Sequence, residues 1–287
     1  MIGPFAGVLF DGFAYGMLLF LLSVGLSVTL GMMNFVNLAH CSFGMIGGYA
    51  TVTLMDRAGW PLLATLPVAF VVAAAMSVVL ERVLFRRLYR SSDLEQCLLT
   101  IGVVFVSVAV AAYLYGTSQQ PIQLPPSLTG STTFFGVTFA WYRLFLVAVA
   151  LVVTLILIAS LEWTRFGAQV RAAVDNQRMA RGLGIDVDRI FAITFALGGG
   201  LAGLGGALAI AIVGLDPSFA FTYLVYVLIV VSVGGLGSIG GSFAAAALLG
   251  ISDVAGKYYV PQLGAFLIYL VMVGLLMWRP LGLFGKR

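Results

Sequence analysis

Long stretches without a charged residue are the feature that most constrains this chain. Asp, Glu, Lys and Arg are absent from residues 12–55, 58–80, 96–142, 144–161, 190–215, 217–252 and 258–278. A helix that spans a bilayer needs about 20 mainly apolar residues, and these stretches supply that length repeatedly. Hydrophobic residues make up 61% of the 287 residues and charged residues 9%, against about 45–50% and about 25% in soluble domains. This pattern indicates a polytopic membrane protein and excludes a soluble enzyme, a nucleic-acid-binding domain and a disordered chain.

The charge-free stretches hold about nine apolar segments. They lie at roughly 8–30, 41–55, 61–80, 97–116, 142–161, 190–213, 222–236, 242–256 and 261–278. We predict helices, because a span must satisfy its own backbone hydrogen bonds and the segments lack the alternation of barrel strands. The second and seventh are short and flanked by Gly or Asn, so either could be broken or re-entrant. The expected fold is all-α: one transmembrane domain over residues 1–287, with about eight to nine transmembrane helices and interruptions near 31–48 and 233–242.

Basic residues gather in three clusters along the chain. The clusters are Arg82, Arg86, Arg87 and Arg90; Arg165, Arg171, Arg178, Arg181 and Arg189; and Arg279, Lys286 and Arg287. With nine segments all three fall on one side, which the positive-inside rule makes cytoplasmic. We therefore expect the N-terminus and loop 117–141 outside, and segment 162–189 and the C-terminus inside. Asp253 and Lys257, four residues apart near an outer helix end, are expected to form a local ion pair.

Glycine is abundant, and its spacing predicts close helix packing. Two runs match G-x-G-x-x-G, but a dinucleotide site needs a preceding strand and a later acidic residue, so we reject both. Pairs spaced four residues apart let helix backbones approach closely in lipid. These pairs are Gly12/Gly16, Gly44/Gly48, Gly199/Gly203 and Gly237/Gly241. No motif for ATP binding or for catalysis occurs, and the two cysteines, Cys41 and Cys97, are far apart. We expect no catalytic, cofactor or metal site in this chain.

A polar stripe follows the first segment. Asn34, Asn37 and His40 recur every three residues, which predicts one helical face. Polar groups in an apolar span are costly unless they are paired or line a cavity, so the stripe either lines a path or supports a broken helix. His40, the only histidine, is more often a packed, hydrogen-bonded side chain than a ligand. The run 233–242, VGGLGSIGGS, is a comparable interruption in the other half of the chain.

Paired interruptions in two halves of a transporter point to a binding region at mid-membrane. The candidate translocation path is formed by Asn34, Asn37, His40, Gly234, Gly235, Gly237 and Ser238. Its dipoles are neutral, and an unpaired ion costs several kcal/mol in a low dielectric. A zwitterion with an apolar side chain therefore fits this path better than a cargo with net charge.

The cytoplasmic segment 162–189 is expected to contain an amphipathic helix over about 168–181. Gly182 and Gly184 would end it. From the residues alone, this helix either contacts anionic lipid and fixes orientation or docks a soluble partner. The outer loop 117–141, rich in Pro, Ser, Thr and Gly, is either a connector or a docking surface.

Several motifs occur in an order typical of one family. They are GMMNFVNLAHCSFGMIGGY (31–49), ERVLFRRLYRSSDL (81–94), RAAVDNQRMARGLGIDVDRIFAITFALGGGLAGLGGAL (171–208), VGGLGSIGGSFAAAALLG (233–250) and RPLGLFG (279–285). The chain resembles, over nearly its whole length, the permease subunits of bacterial ABC importers for branched-chain amino acids, the high-affinity leucine/isoleucine/valine family. Two departures are a cysteine at Cys41, where such permeases often carry Gly, and a short outer loop.

The resemblance implies a transport subunit in the bacterial inner membrane rather than an enzyme. Its implied partners are a second related permease, two cytoplasmic ATPase subunits that hydrolyse the ATP, and an external substrate-binding protein, with membrane lipid around them and no nucleic acid. The part of the chain that matches the ATPase-contacting loop favours docking over lipid contact. Its candidate docking residues are Arg171, Asp175, Arg178, Met179, Arg181 and Gly184.

Three alternatives remain open from the sequence. Permeases of the same family for urea or short-chain amides would look similar. An ion-coupled secondary transporter usually places Asp, Glu or His within the membrane, and apart from residues near helix ends the apolar stretches offer only His40. An intramembrane enzyme would need a nucleophile with a base, or a metal cluster, and no such set is found.

Overall fold

The computed structural model describes residues 2–33, 35–89, 91–134 and 137–285. This part of the chain holds eleven α-helices: α1 Ile2–Met33, α2 His40–Ala58, α3 Leu62–Val83, α4 Asp93–Tyr115, α5 Trp141–Glu162, α6 Arg165–Asp175, α7 Gln177–Gly182, α8 Val187–Val213, α9 Phe219–Gly234, α10 Ile239–Tyr259 and α11 Gly264–Trp278. A short 3-10 turn, Phe85–Leu88, precedes α4, and two strands, β1 Ser131–Phe134 and β2 Val137–Ala140, precede α5.

Each of the predicted apolar segments corresponds to one helix, which confirms the all-α polytopic fold. Six helices in the described residues are long and apolar enough to cross a membrane: α1, α3, α4, α5, α8 and α10. Helices α9 and α11 are apolar but shorter. The 16 residues of α9 extend only about 24 Å at about 1.5 Å per residue, which is less than the hydrocarbon core of a typical bilayer.

The segment 117–141 differs from the expected turn-rich loop, because β1 and β2 form an antiparallel hairpin within it. Ser131 pairs with Ala140 and Thr133 with Thr138. Threonine, valine and phenylalanine recur in this stretch, and they favour extended backbone. The ring of Phe139 packs edge-on against Phe10 of α1, with 4.7 Å between the ring centroids. The hairpin is thereby attached to the helical bundle.

The long helices alternate in direction, so the bundle has two chemically different ends. Arg86 in the 3-10 turn forms an ion pair with Asp188 at the start of α8, and α6, α7 and the end of α11 lie at the same end. We call this the basic end. The other end, with the N-termini of α1, α5 and α9 and the C-termini of α8 and α10, is called the opposite end.

Helix α8 lies at the centre of the bundle, and its glycines touch three other helices. A Cβ atom at Gly206 would overlap the carbonyl oxygen of Gly44 in α2, and one at Gly47 would overlap Gly203. A Cβ at Gly199 would overlap the Ser77 side chain in α3. The prediction that Gly44/Gly48 and Gly199/Gly203 are packing pairs is therefore confirmed. Such close backbone approach supplies the dispersion contacts that hold helices together in lipid.

Helices α1 and α10 pack in the same way. A Cβ at Gly12 would lie 2.6 Å from the Cα of Ile251, and one at Gly16 would lie 2.5 Å from the carbonyl oxygen of Ala246. Both distances are shorter than any ordinary van der Waals contact between these atoms. The Gly12/Gly16 pair is thus also confirmed as a packing device.

Candidate functional site

The interruption predicted near 31–48 is a non-helical segment between α1 and α2. Helix α1 ends at Met33 and α2 begins at His40, while residues 35–37 have no regular secondary structure. The prediction of a single helical face is wrong for Asn37, because its backbone is not helical; Asn34 lies outside the described residues. The alternative prediction, that the stripe supports a broken helix, is the one the geometry matches.

Side chains of α4 satisfy the backbone of this segment. The Val36 N–H donates to Gln96 Oε1 at 2.9 Å, and the Leu38 N–H donates to Thr100 Oγ1 at 3.2 Å. The Ala39 N–H donates to the side chain of Asn37 at 3.1 Å. Irregular backbone within a membrane is tolerated only where protein groups satisfy it. Gln96 and Thr100 therefore allow the chain to leave helical geometry here.

His40 fixes how deeply this segment enters the bundle. Its ring Nε2 lies 3.0 Å from the carbonyl oxygen of Leu22, about three turns or about 16 Å before the end of α1. The chain therefore turns back into the bundle after α1. His40 and Asn37 are each 1% exposed, so both side chains are buried against their own chain. His40 is therefore a packed, hydrogen-bonded side chain, as predicted for a histidine that is not a ligand. A role of either in a path stays a prediction.

The second interruption is the tight connection between α9 and α10. Gly235 and Gly237 have φ values of +94° and +77°, a region that favours glycine. The Ser238 hydroxyl accepts a 3.0 Å hydrogen bond from the Gly241 N–H and caps α10. The chain after α11 packs on this connection, since the Leu283 N–H donates to the carbonyl of Val233 at 2.7 Å.

The two interruptions touch each other. A Cβ at Gly31 would overlap the Cα of Gly237, so the last turn of α1 lies directly on the α9–α10 connection. Because that turn belongs to the basic end, Gly234, Gly235, Gly237 and Ser238 lie there and not at the depth of Leu22. The two interruptions that the sequence pairs are therefore in contact, and their depth in the membrane and their role in a path stay predictions.

Segment 162–189 forms two helices, α6 and α7, instead of the single helix expected over 168–181. The break is at Asn176, whose φ and ψ of −155° and 94° are extended. Its side-chain oxygen accepts a 2.9 Å hydrogen bond from the Met179 N–H. Asparagine is among the best N-cap residues, so it ends one helix and starts the next. Gly182 ends α7 as predicted, and Gly184 follows with a φ of +82°.

One face of α6 and α7 packs against the transmembrane bundle. Val170, Ala173 and Ala180 are at most 2% exposed, and they cluster with Val187, Ile190 and Phe191 around the start of α8. Met33 at the end of α1 packs against the same cluster. This cluster therefore joins α6 and α7 to α8 and to the end of α1.

The other face of these two helices is exposed. Met179 and Leu183 are 63% and 75% exposed, beside the exposed Asp175 and Arg178. Two further predicted docking arginines are exposed but also bind their own chain: Arg171 donates to the carbonyl of Leu161, and Arg181 donates to Asp188 at 3.0 Å. We call the exposed set Asp175, Arg178, Met179 and Leu183 the docking face.

Comparison with known proteins identifies the family to which this chain belongs. A family described as "Branched-chain amino acid transport system / permease component" matches residues 8–276. The chain is 28% identical to the probable branched-chain amino acid transport permease protein LivH of Methanocaldococcus jannaschii, over 94% of this chain and 90% of that protein. No solved structure was found to match the chain.

Two permeases of Escherichia coli K12 are also similar to this chain. The high-affinity branched-chain amino acid transport system permease protein LivH is 26% identical over 97% of this chain and 94% of its own length. The corresponding permease protein LivM is 29% identical over 93% of this chain and 68% of its own length. The family match spans nearly the whole chain and describes a transport subunit, not an enzyme. The chain therefore belongs to the family of permease components of branched-chain amino acid transport systems.

Proposed function

We propose that this chain is one of two permease subunits in an ABC importer that moves branched-chain or other hydrophobic amino acids across the inner membrane. The second subunit is a related permease, as the similarity to both a LivH and a LivM protein suggests. Two cytoplasmic ATPase subunits hydrolyse the ATP, and an external binding protein delivers the substrate. The basic end is cytoplasmic, following the positive-inside rule.

The docking face is the observation that carries this proposal. A helix that lies on a membrane surface turns its apolar face to the lipid, but here the face with Val170, Ala173 and Ala180 packs on α8. The outward face instead combines exposed Met179 and Leu183 with two charges. Methionine and leucine exposed beside charged groups favour a protein interface over lipid contact. An ATPase subunit is the partner that such an importer requires at this end.

The path is proposed to pass beside the two interruptions. Gly31 and Gly237 are in contact at the basic end, and residues 35–37 and 235–238 lack the regular helical structure that resists bending. The cluster around Val187 connects the end of α1, next to the first interruption, to the two helices that carry the docking face. Motion of the ATPases could thus separate the two interruptions and open the cytoplasmic exit.

The double substitution Arg178→Glu with Met179→Glu tests the docking proposal. Both side chains are exposed, so the permease should reach the membrane in normal amount. We expect recovery of the ATPase subunits with the tagged permease, and ATP-driven uptake, to fall by about tenfold or more, since central interface residues carry most of the binding energy. Quantitative pull-down and leucine uptake measure the two effects.

Arg57→Glu is the matched control, because Arg57 is an exposed arginine in the last turn of α2, at the opposite end of the bundle. It reverses a charge without touching the docking face and should leave ATPase recovery unchanged. Normal ATPase recovery together with normal uptake in the double variant would refute docking at this face.

A further inference from the structure

A cavity of about 290 Å³ lies at the opposite end of the bundle, between α1, α5, α8, α9 and α10. Its volume is at the lower limit of small-molecule sites. The polar side chains that line it are Asp11, Tyr15, Arg143, Thr222, Tyr223, Tyr226, Asp253 and Lys257. Five separate helices contribute to it, although nothing in their sequence spacing connects them.

Two ion pairs line this cavity. Arg143 at the start of α5 pairs with Asp11 of α1. In α10, the Lys257 ammonium lies 2.6 Å from Asp253 Oδ2, which confirms the predicted ion pair. The cavity therefore presents two positive and two negative groups with no net charge. Such a lining suits a ligand that carries both a positive and a negative charge. It disfavours a ligand that carries a single charge.

The burial of the Asp253 carboxylate is not explained by its ion pair with Lys257. The Asp253 side chain is 2% exposed, and within the described residues its buried Oδ1 has no hydrogen-bond partner. An ion pair at this spacing contributes little to helix stability. Leaving a buried charged acceptor without a hydrogen-bond partner costs more than such a pair contributes. The ion pair with Lys257 alone therefore does not compensate for the burial of this carboxylate.

We infer that this cavity binds the head group of a zwitterionic α-amino acid before it crosses the membrane. The ligand ammonium, with three hydrogen-bond donors, would satisfy Asp253 Oδ1 after the carboxylate turns this oxygen toward the cavity, because Oδ1 is shielded from solvent in the structure. The ligand carboxylate would meet Arg143, whose planar fork suits carboxylates. The rings of Tyr15 and Tyr223 and the apolar ends of α8 supply a wall for an aliphatic side chain. The inference rests on the proposed function, since it takes a leucine-like amino acid as the ligand.

Three probes with the same isobutyl group separate the charges that the cavity recognises. Leucine has both charges, leucinamide lacks the carboxylate, and 4-methylpentanoate lacks the ammonium. Binding to the full chain in lipid nanodiscs, without ATP or binding protein, is measured by calorimetry and by thermal shift. Leucine should bind, and each of the other two probes should bind about tenfold more weakly or not at all.

Asp253→Asn and Arg143→Gln should each weaken leucine binding by about tenfold or more. The matched control Asp56→Asn removes an exposed carboxylate of α2 outside the cavity and should bind like the wild type. Without leucine, Asp253→Asn should be at least as thermally stable as the wild type, because it removes a buried charge with an unsatisfied oxygen. A lower melting temperature with unchanged leucine affinity would instead show a structural role and overturn the inference.

The remaining outcomes separate this inference from the proposed function. Equal binding of leucinamide would reveal a cation site, and equal binding of 4-methylpentanoate an anion site; either result overturns the zwitterion assignment. A wild-type protein that supports ATP-driven leucine uptake but binds no leucine in nanodiscs would overturn the inference alone. Binding without any ATP-driven uptake would count against the proposed function alone, and the absence of both would refute both.

Discussion

Replacing Gly206 with valine is expected to abolish the stably folded permease. A Cβ at this position would overlap the backbone oxygen of Gly44, and a backbone group cannot rotate away as a side chain can. Overpacking a well-packed core costs about 1–3 kcal/mol even when side chains can adjust, and here α2 and α8 must separate. We expect no monodisperse peak in detergent size-exclusion chromatography, or a melting temperature lowered by about 10 °C or more.

Gly102→Val is the matched control for this substitution. Gly102 is also in a membrane-spanning helix, α4, but among the described residues no atom lies within 4 Å of a Cβ built there. The cost of placing valine in a helix is the same at both positions, so only the contact differs. Equal melting temperatures for Gly206→Val and Gly102→Val would show that the packing of α8 against α2 is wrong.

Cysteine labelling should give an all-or-none difference between the two ends of the bundle. In a chain with Cys41→Ala and Cys97→Ala, Val260→Cys should react with an impermeant maleimide in intact cells. Met179→Cys should react only after the membrane is opened. The two side chains are 44% and 63% exposed, so access to the reagent, not burial, determines the result. The expectation follows from the proposal that the basic end is cytoplasmic.

Inverted membrane vesicles provide the control for this labelling. There Met179→Cys should react and Val260→Cys should be protected, which excludes low intrinsic reactivity as the cause. Labelling of Met179→Cys in intact cells, with Val260→Cys protected, would place the N-terminus inside and would remove the docking face from the ATPases.

The helices were predictable because hydropathy is a local property of the chain. Charge-free runs gave every long helix, and small-residue spacing identified Gly44 and Gly203 as packing positions. The partners of these glycines were not predictable. Which helix lies against Gly206 depends on the arrangement of the whole bundle, and spacing within one helix carries no such information.

The first interruption shows how a local pattern can be misread. Three-residue spacing around Asn37 matches a helical face, but the same asparagine can satisfy nearby backbone in a turn. The deciding partners, Gln96 and Thr100, lie about 60 positions away in sequence. Their own spacing of four in an otherwise apolar segment was a signal that could have identified them as an inward-facing polar pair. Asn176 was a similar case, since its capping preference predicts a break between α6 and α7.

The cavity at the opposite end was the part that the sequence could not show. Asp11, Arg143 and Asp253 belong to three distant segments, and each lies near a helix end, where a charge is ordinary. Only the folded bundle places them on one cavity with both ion pairs. The predicted preference for a zwitterion came from the absence of charge elsewhere in the spans, and the cavity adds a place where both charges of such a ligand can be met.

ATP-driven transport by a reconstituted complex is the measurement that tests the central claim most directly. The tagged chain is purified with its partners, incorporated into proteoliposomes with ATP on the side of the docking face, and supplied with radiolabelled leucine and the external binding protein on the other side. We predict accumulation of leucine that requires both ATP and the binding protein. Accumulation driven by a proton or sodium gradient without ATP, or transport of urea in place of leucine, would contradict the account.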